Sequence, residues 1–318
     1  MSVQVDSTSS PGVTTEGLSR AEGLWFEDCG FIIQAEMTLF RVSRDILAIQ
    51  SPIFRDLFSL PAPKETDMMD GCPFVLLQDL AQDVDSVLRA IFYYDFFGPY
   101  PAPTTWTVLA GILRMAHKYE IEGLRKRAIT HISSIHPTSL DQWDKLDDNP
   151  SAWFTEAQSE LLQIVILAQS LSLDWILPTA FYRVCEYTWE RQILSAQIAF
   201  DDKARLITAC RVLESSAVTK VLSFLWPLDE REKCTTARYK ARKDVEARRE
   251  RSGESTANVP LDVWKEEDWD NLNVCAICLV NMKAAHQASR QALWDELPAM
   301  FGLQNWNELE EMRAKAME

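Results

Sequence analysis

The chain has 318 residues, 47% of them hydrophobic and 25% charged, the make-up of a globular protein with a sizeable core rather than of a disordered chain. Its 47 Asp and Glu outnumber 32 Lys and Arg, and a net charge of −15 repels phosphate backbones and anionic membranes, which argues against general nucleic-acid binding. Only 10 glycines leave few positions for phosphate-cradling loops.

The N-terminus, MSVQVDSTSSPGVTTEG, lacks a charged start followed by an apolar run, so no secretory signal is expected. The longest uncharged apolar stretch is Leu161–Leu173. It holds Gln163, Gln169, Ser170 and Ser172 and falls short of the ~20 apolar residues that span a bilayer. These features predict a soluble protein, cytoplasmic or nuclear, whose seven scattered cysteines are reduced and mostly buried.

Residues 1–22 are rich in Ser, Thr, Gly and Pro and read as a disordered tail. Phe31–Glu36 and Thr38–Ser43 suggest two short strands with a tight connection near Glu36-Met37. From Asp45 the period becomes helical through Ile46, Ile49, Ile53 and Leu57. Pro52 splits this run into two helices, with Ser51 capping the second. An acidic, proline-bearing loop (Leu60–Gly71) precedes a buried strand at Pro73–Leu77. Asp83 is a plausible cap for a helix with Val84, Val87, Leu88 and Ile91 on one face. After the Gly98–Pro103 turn, Trp106, Leu109, Leu113 and Ala116 mark a helix to about Tyr119, and Leu124–Ile135 marks another.

Thr38–Phe58, TLFRVSRDILAIQSPIFRDLF, resembles the core signature of the BTB/POZ domain, a strand ending in an aromatic and an aliphatic residue and then "L-A…S-P-x-F…F". Asp28 stands where that family usually has an acidic residue, and Leu109–Leu124 resembles its later "L…A-x-K-Y…L" helix pair. Ser43 departs from the pattern, which often has His there. Further on no strand pattern emerges, but helices are predicted around Leu162–Leu173, Trp175–Trp189, Ala204–Leu213 and Val218–Leu225. Leu167-Ala168 with Trp175–Tyr182, and Leu293–Leu303 with Trp306–Leu309, resemble stretches of the helical C-terminal half in the large fungal set of BTB proteins. The expected fold is therefore α+β: a BTB/POZ-like domain with a small three-stranded sheet over 23–135, then an all-α domain. That second part is read as a helical domain at 136–228, a charged helix or linker at 229–262 and a helical segment at 263–318.

No phosphate-loop, dinucleotide, nucleophile-elbow or H-E-x-x-H pattern occurs. Of the four histidines, His117 and His131 lie in predicted helices beside apolar residues, a setting for partly buried imidazoles rather than catalytic ones. Acid pairs such as Asp147-Asp148 and Asp201-Asp202 fall in polar connections, where solvated charge is the default. No enzyme activity and no organic cofactor are expected. Residues 229–251 carry nine Lys and Arg against six Asp and Glu, and the interspersed acids, such as Asp244 four before Arg248, suit a solvated helix better than a nucleic-acid arm.

The sharpest chemical pattern is Cys275-Ala-Ile-Cys278, with Cys234 upstream and His286 downstream. Two thiolates at i and i+3 can point one way, and Cys234 with His286 would complete a tetrahedral zinc set. No Gly or Pro shapes a knuckle there, and Ala276, Ile277 and Leu279 fit a buried helix, so zinc ligation and buried free thiols both stand as readings. The resemblance implies a non-enzymatic protein-interaction protein: a homodimer, a substrate adaptor for a cullin-type ubiquitin ligase, or alternatively a dimerising scaffold or nuclear transcription-associated factor. Its partner-facing edge would be the helices Asp45–Phe58 and the loop Pro61–Asp70. Phe54, Leu57 and Phe58 are the candidate contacts, with core as the competing reading for them.

Overall fold

Short apolar runs become strands and three-and-four spacing becomes helices in a computed structural model that describes residues 17–60, 68–148, 160–187, 190–226, 232–252 and 260–318. The chain divides into two compact units, Met1–His131 and Ile132–Glu318.

The first unit opens with β1 (Ser19–Trp25), β2 (Phe31–Ala35) and β3 (Thr38–Val42), then α1 (Arg44–Gln50), α2 (Pro52–Phe58), β4 (Met68–Met69) and β5 (Cys72–Leu77). Helices α3 (Ala81–Phe92), α4 (Trp106–Lys118) and α5 (Glu122–Ile135) follow. The strands form one mixed sheet in the order β1-β3-β2-β5-β4. β2 and β3 pair antiparallel from Phe31–Val42 to Ala35–Thr38, and Glu36 takes a left-handed conformation (φ 48°) at their connection. β1 runs parallel to β3, and β5 parallel to β2.

The described residues thus hold a five-stranded sheet where the sequence led us to expect three strands. The additions are the short β4 and, more tellingly, β1. That strand starts at Ser19, inside the stretch read as tail, and of SRAEGLW only Ala21 and Leu24 are buried. Gly23 (φ 76°) interrupts its register with β3, so it lacks the alternation that marks a strand in sequence.

Polar side chains close the helix ends. Ser51 is fully buried; its Oγ accepts from the Phe54 N–H (3.1 Å), as expected of a cap, and also donates to the Tyr119 carbonyl (2.6 Å). Ser43, at the departure from the family pattern, caps α1 by accepting from the Ile46 N–H (3.4 Å). Asp83 does not cap α3. The Glu36 carboxylate accepts from the Ala81 N–H (2.8 Å) there instead, while Asp83 sits in the first turn, buried, in a two-point ion pair with Arg114 of α4 (2.6 and 2.8 Å). The turn after α3 is held by α5, where Arg127 donates to the Phe97 carbonyl (2.6 Å) and His131 Nε2 meets the Gly98 carbonyl (3.0 Å).

The second unit contains α6 (Leu140–Asp148), α7 (Leu161–Ser170), a 3₁₀ turn at Asp174–Ile176, α8 (Leu177–Tyr187), α9 (Glu190–Ser195) and α10 (Phe200–Ser216). A π turn (Ala217–Val221) and a 3₁₀ turn (Ser223–Leu225) lead to α11 (Glu232–Ser252), α12 (Glu266–Asp270), α13 (Ala276–Met300) and α14 (Trp306–Met317). Asp202 lies in the first turn of α10, not in a connection; it is buried and accepts from Gln169 (2.9 Å) and Arg205 (3.1 Å). Asp147-Asp148 ends α6, and nothing further is described of its side chains. Aromatic rings fill the core: Trp143 packs on Tyr182 (5.3 Å) and Trp294 (5.9 Å), Phe181 on Phe301 (5.1 Å), and Trp294 stacks on Trp306 (5.1 Å). The stretches Trp175–Tyr182 and Leu293–Leu309, set apart by their sequence, therefore meet in this core.

Helices α3 and α4 approach closely because α4 has a glycine at the contact. A Cβ at Gly111 would lie 2.9 Å from the Asp83 carboxylate and 3.2 Å from the Asp83 Cα, so the backbone itself would have to move. Gly111→Ala is expected to cost about 1–3 kcal/mol, measured as a lower urea midpoint with an unchanged slope. A midpoint equal to that of the wild type would show that the helices can part without cost.

Candidate functional site

Two places in the molecule present chemistry that the folded core does not absorb. The first is the pair α1–α2. Of the candidate contacts, Phe54 is only 3% exposed and stacks on Tyr119 (4.8 Å, 7° between planes), so it belongs to the core and cannot meet a partner. Phe58 is half-buried with its edge against Phe31 (4.7 Å), and Leu57 is half-buried as well. Helical periodicity explains the correction: with Phe54 and Phe58 turned inward, Ile46, Ile49 and Ile53 are left facing outward at 41%, 79% and 39% exposure. In the sequence these three share one apolar helical spacing with Leu57, and periodicity alone does not say which side of it meets the core. The loop proposed beside them lies outside the described residues over 61–67. Tyr119 underpins the pair: it donates to Asp79 (2.6 Å), and burial, then this hydrogen bond, pushes its hydroxyl pKa well up.

The second place lies in the second unit, where α11 meets the start of α13. Cys234 is in the first turn of α11, Cys275 is the N-cap of α13 and Cys278 lies in that helix's first turn. Their three sulfurs all lie within 4.8 Å of one another. Cys234 and Cys278 are buried and Cys275 half-buried, and the Cys275 N–H donates to the Cys234 sulfur (3.4 Å). A sequence separation of 41 residues is thus closed in space. His286 does not join them. It stands eight residues along α13, about 12 Å by helical rise, in an aromatic nest against Phe224 (5.4 Å) and Trp269 (5.5 Å). Nor is the Cys275–Cys278 stretch an ordinary buried helix, since Ile277 and Val280 are exposed.

Along α11, within the second unit, the charge is organised. Arg242 pairs with Glu246 one turn on (2.8 Å), and Arg248 reaches Asp268 of α12 (2.8 Å). Arg242 also lies over the Trp226 ring (4.6 Å). A groove of about 860 Å³ runs beside the helix, lined by Lys240, Asp244, Arg248, Trp264, Asp268 and Asn271 among others. Its mixed signs suit a protein surface better than a phosphate backbone.

Compared with known families, residues 21–136 match the BTB/POZ domain. The mixed five-stranded sheet with its helices is a BTB/POZ domain, a protein–protein interaction module, and a helical region follows it. BTB domains often self-associate, and theirs is not a catalytic family. Comparisons with curated proteins and with solved structures found no match. No helix among the described residues is long and apolar enough to cross a membrane.

Burial, then the nearby Arg290 guanidinium, lowers the His286 pKa from 6.5 to about 4, with Asp144 and Glu266 opposing the shift. The unfolded chain therefore binds a proton at this site that the folded one does not, between pH about 6.5 and about 4. Stability from this residue is intact above pH about 6.5 and is lost as pH falls toward about 4. His286→Phe, which keeps an aromatic ring in the nest, is expected to shrink the loss of melting temperature between pH 7 and pH 4.5. An equal loss in both proteins would place the acid sensitivity elsewhere.

Proposed function

We propose that the chain is a non-enzymatic adaptor whose BTB domain self-associates and docks a cullin-type ubiquitin ligase, with the helical unit available to hold the protein to be modified. The observation that carries this reading is the outward-facing trio Ile46, Ile49 and Ile53 on α1 and α2. Exposed aliphatic groups gathered on one short helical pair gain about 25 cal/mol for each Å² they bury against a partner. The cullin as partner, and membership of the fungal set, rest on the family resemblance; the convergence of Trp175–Tyr182 with Leu293–Leu309 in the helical core supports the second.

The test uses the full chain and a purified cullin scaffold. Sedimentation should give a dimer at micromolar concentration, and titration should give binding that Ile49→Asp weakens at least tenfold, about 1.4 kcal/mol, without changing the thermal melt. Ile49 is 79% exposed, so its replacement leaves the core intact. A dimer that ignores the cullin would support the scaffold reading instead. Binding untouched by Ile49→Asp would move the docking surface off α1–α2.

A further inference from the structure

The geometry points to a metal site: we infer that Cys234, Cys275 and Cys278 hold one zinc-class divalent ion as three thiolates, with an open fourth position that a solvent molecule fills. Zn–S bonds of ~2.3 Å place tetrahedral sulfurs about 3.8 Å apart. The three sulfurs, all within 4.8 Å of one another, need close by no more than about 1 Å. Thiolate sulfur is the donor that soft and borderline ions select over the magnesium and calcium class.

Three further features favour an ion over three idle thiols. The Cys275 N–H already donates to the Cys234 sulfur (3.4 Å), an interaction that strengthens when the sulfur is anionic. Cys275 and Cys278 sit at the N-terminal end of the 25-residue helix α13, whose positive dipole end offsets the net negative charge of an ion with three thiolates. On the inner side Leu222, Phe224, Trp264, Trp269, Leu272 and Met282 form an apolar shell that keeps water from the buried sulfurs.

The site also answers a structural need. Helix α11 runs for 21 residues with no apolar face: its buried side chains, among those described, are Cys234, Val245 and Arg238. A helix so polar gains little from packing. A metal bound through Cys234 would fasten its first turn to the start of α13 and so frame one end of the groove beside it. Binding exchanges three S–H protons for three S–metal bonds, releasing three protons to solvent with no change of oxidation state.

Elemental analysis of the full chain, expressed with zinc and purified under reducing conditions, should find about one zinc per chain. Cys275→Ser should lose it, whereas His286→Phe and Cys29→Ser should keep it. Because a cysteine variant can fail to fold, the wild-type protein supplies an independent readout: after chelation, added cobalt should give the intense near-ultraviolet band of thiolate ligation, and zinc should abolish it. Removing the metal should also lower the melting temperature. Less than a tenth of an equivalent of zinc together with no thiolate–cobalt band would overturn the site. So would a disulfide among the three cysteines in the reduced protein, or full metal content in Cys275→Ser. Loss of zinc in His286→Phe would overturn the three-sulfur assignment.

Discussion

The second unit depends on satisfying the backbone at Leu261, a buried residue outside any helix or strand. An unpaired buried peptide group costs about 1–3 kcal/mol, so such a segment survives only if side chains take the place of a ladder. Here the Leu261 N–H donates to the Tyr182 hydroxyl of α8 (3.1 Å), and its carbonyl accepts from Arg290 Nε of α13 (2.8 Å). The rest of the Arg290 guanidinium is taken up by the Asp144 carboxylate of α6, which neutralises a buried charge. Three helices distant in sequence are thereby fixed around one residue. The Trp143, Tyr182 and Trp294 rings then pack in the space these bonds define.

The BTB unit meets a similar demand with smaller groups. Its helices are short, so their ends make up much of their length, and each end needs a partner. Ser43 and Ser51 supply local caps, but α3 borrows the carboxylate of Glu36 from the β2–β3 connection. The bend that breaks α1 from α2 also sets which residues face outward. Once Ser51 has donated to the Tyr119 carbonyl and Phe54 has stacked on the Tyr119 ring, the isoleucines of α1 and the start of α2 have no core left to enter. An interaction surface thus arises from the same contacts that build the fold.

The two units also differ in how they treat charge. In the first, Asp83 with Arg114 and Asp79 with Lys118 tie neighbouring elements together. In the second, the longest run of basic residues is dispersed over α11 and partly answered by Glu246 and Asp268. Such pairs are weak on an exposed surface, about 0–1 kcal/mol each, and of the described α11 residues Cys234 and Val245 enter the apolar cluster formed with Trp269 of α12 and Met282 of α13.

Much was legible in the sequence because it depends on residues near one another in the chain. The 2- and 3.6-residue periods placed β2, β3, α4, α7, α8 and α10, Ser51-Pro52 marked the break before α2, and the order of the elements in the first unit carried the resemblance to the BTB domain. Cys275 and Cys278 were visible as a pair for the same reason, and Cys234 only as a distant possibility. Tertiary structure alone decided the remainder. Strand β1, with two buried residues and a glycine, exists because β3 offers it an edge. Asp83 looked like a cap until Arg114 drew it into the interface between two helices. Local spacing says which residues share a side of a helix but not which side meets the core, so Phe54 went inward and Ile49 outward. His286 matched zinc in ligand type but was carried about 12 Å along the helix into an aromatic nest, while Cys234 was brought in across 41 residues. Residue type and spacing set the chemistry available; chain closure, which sequence periodicity does not encode, set which of those groups could touch.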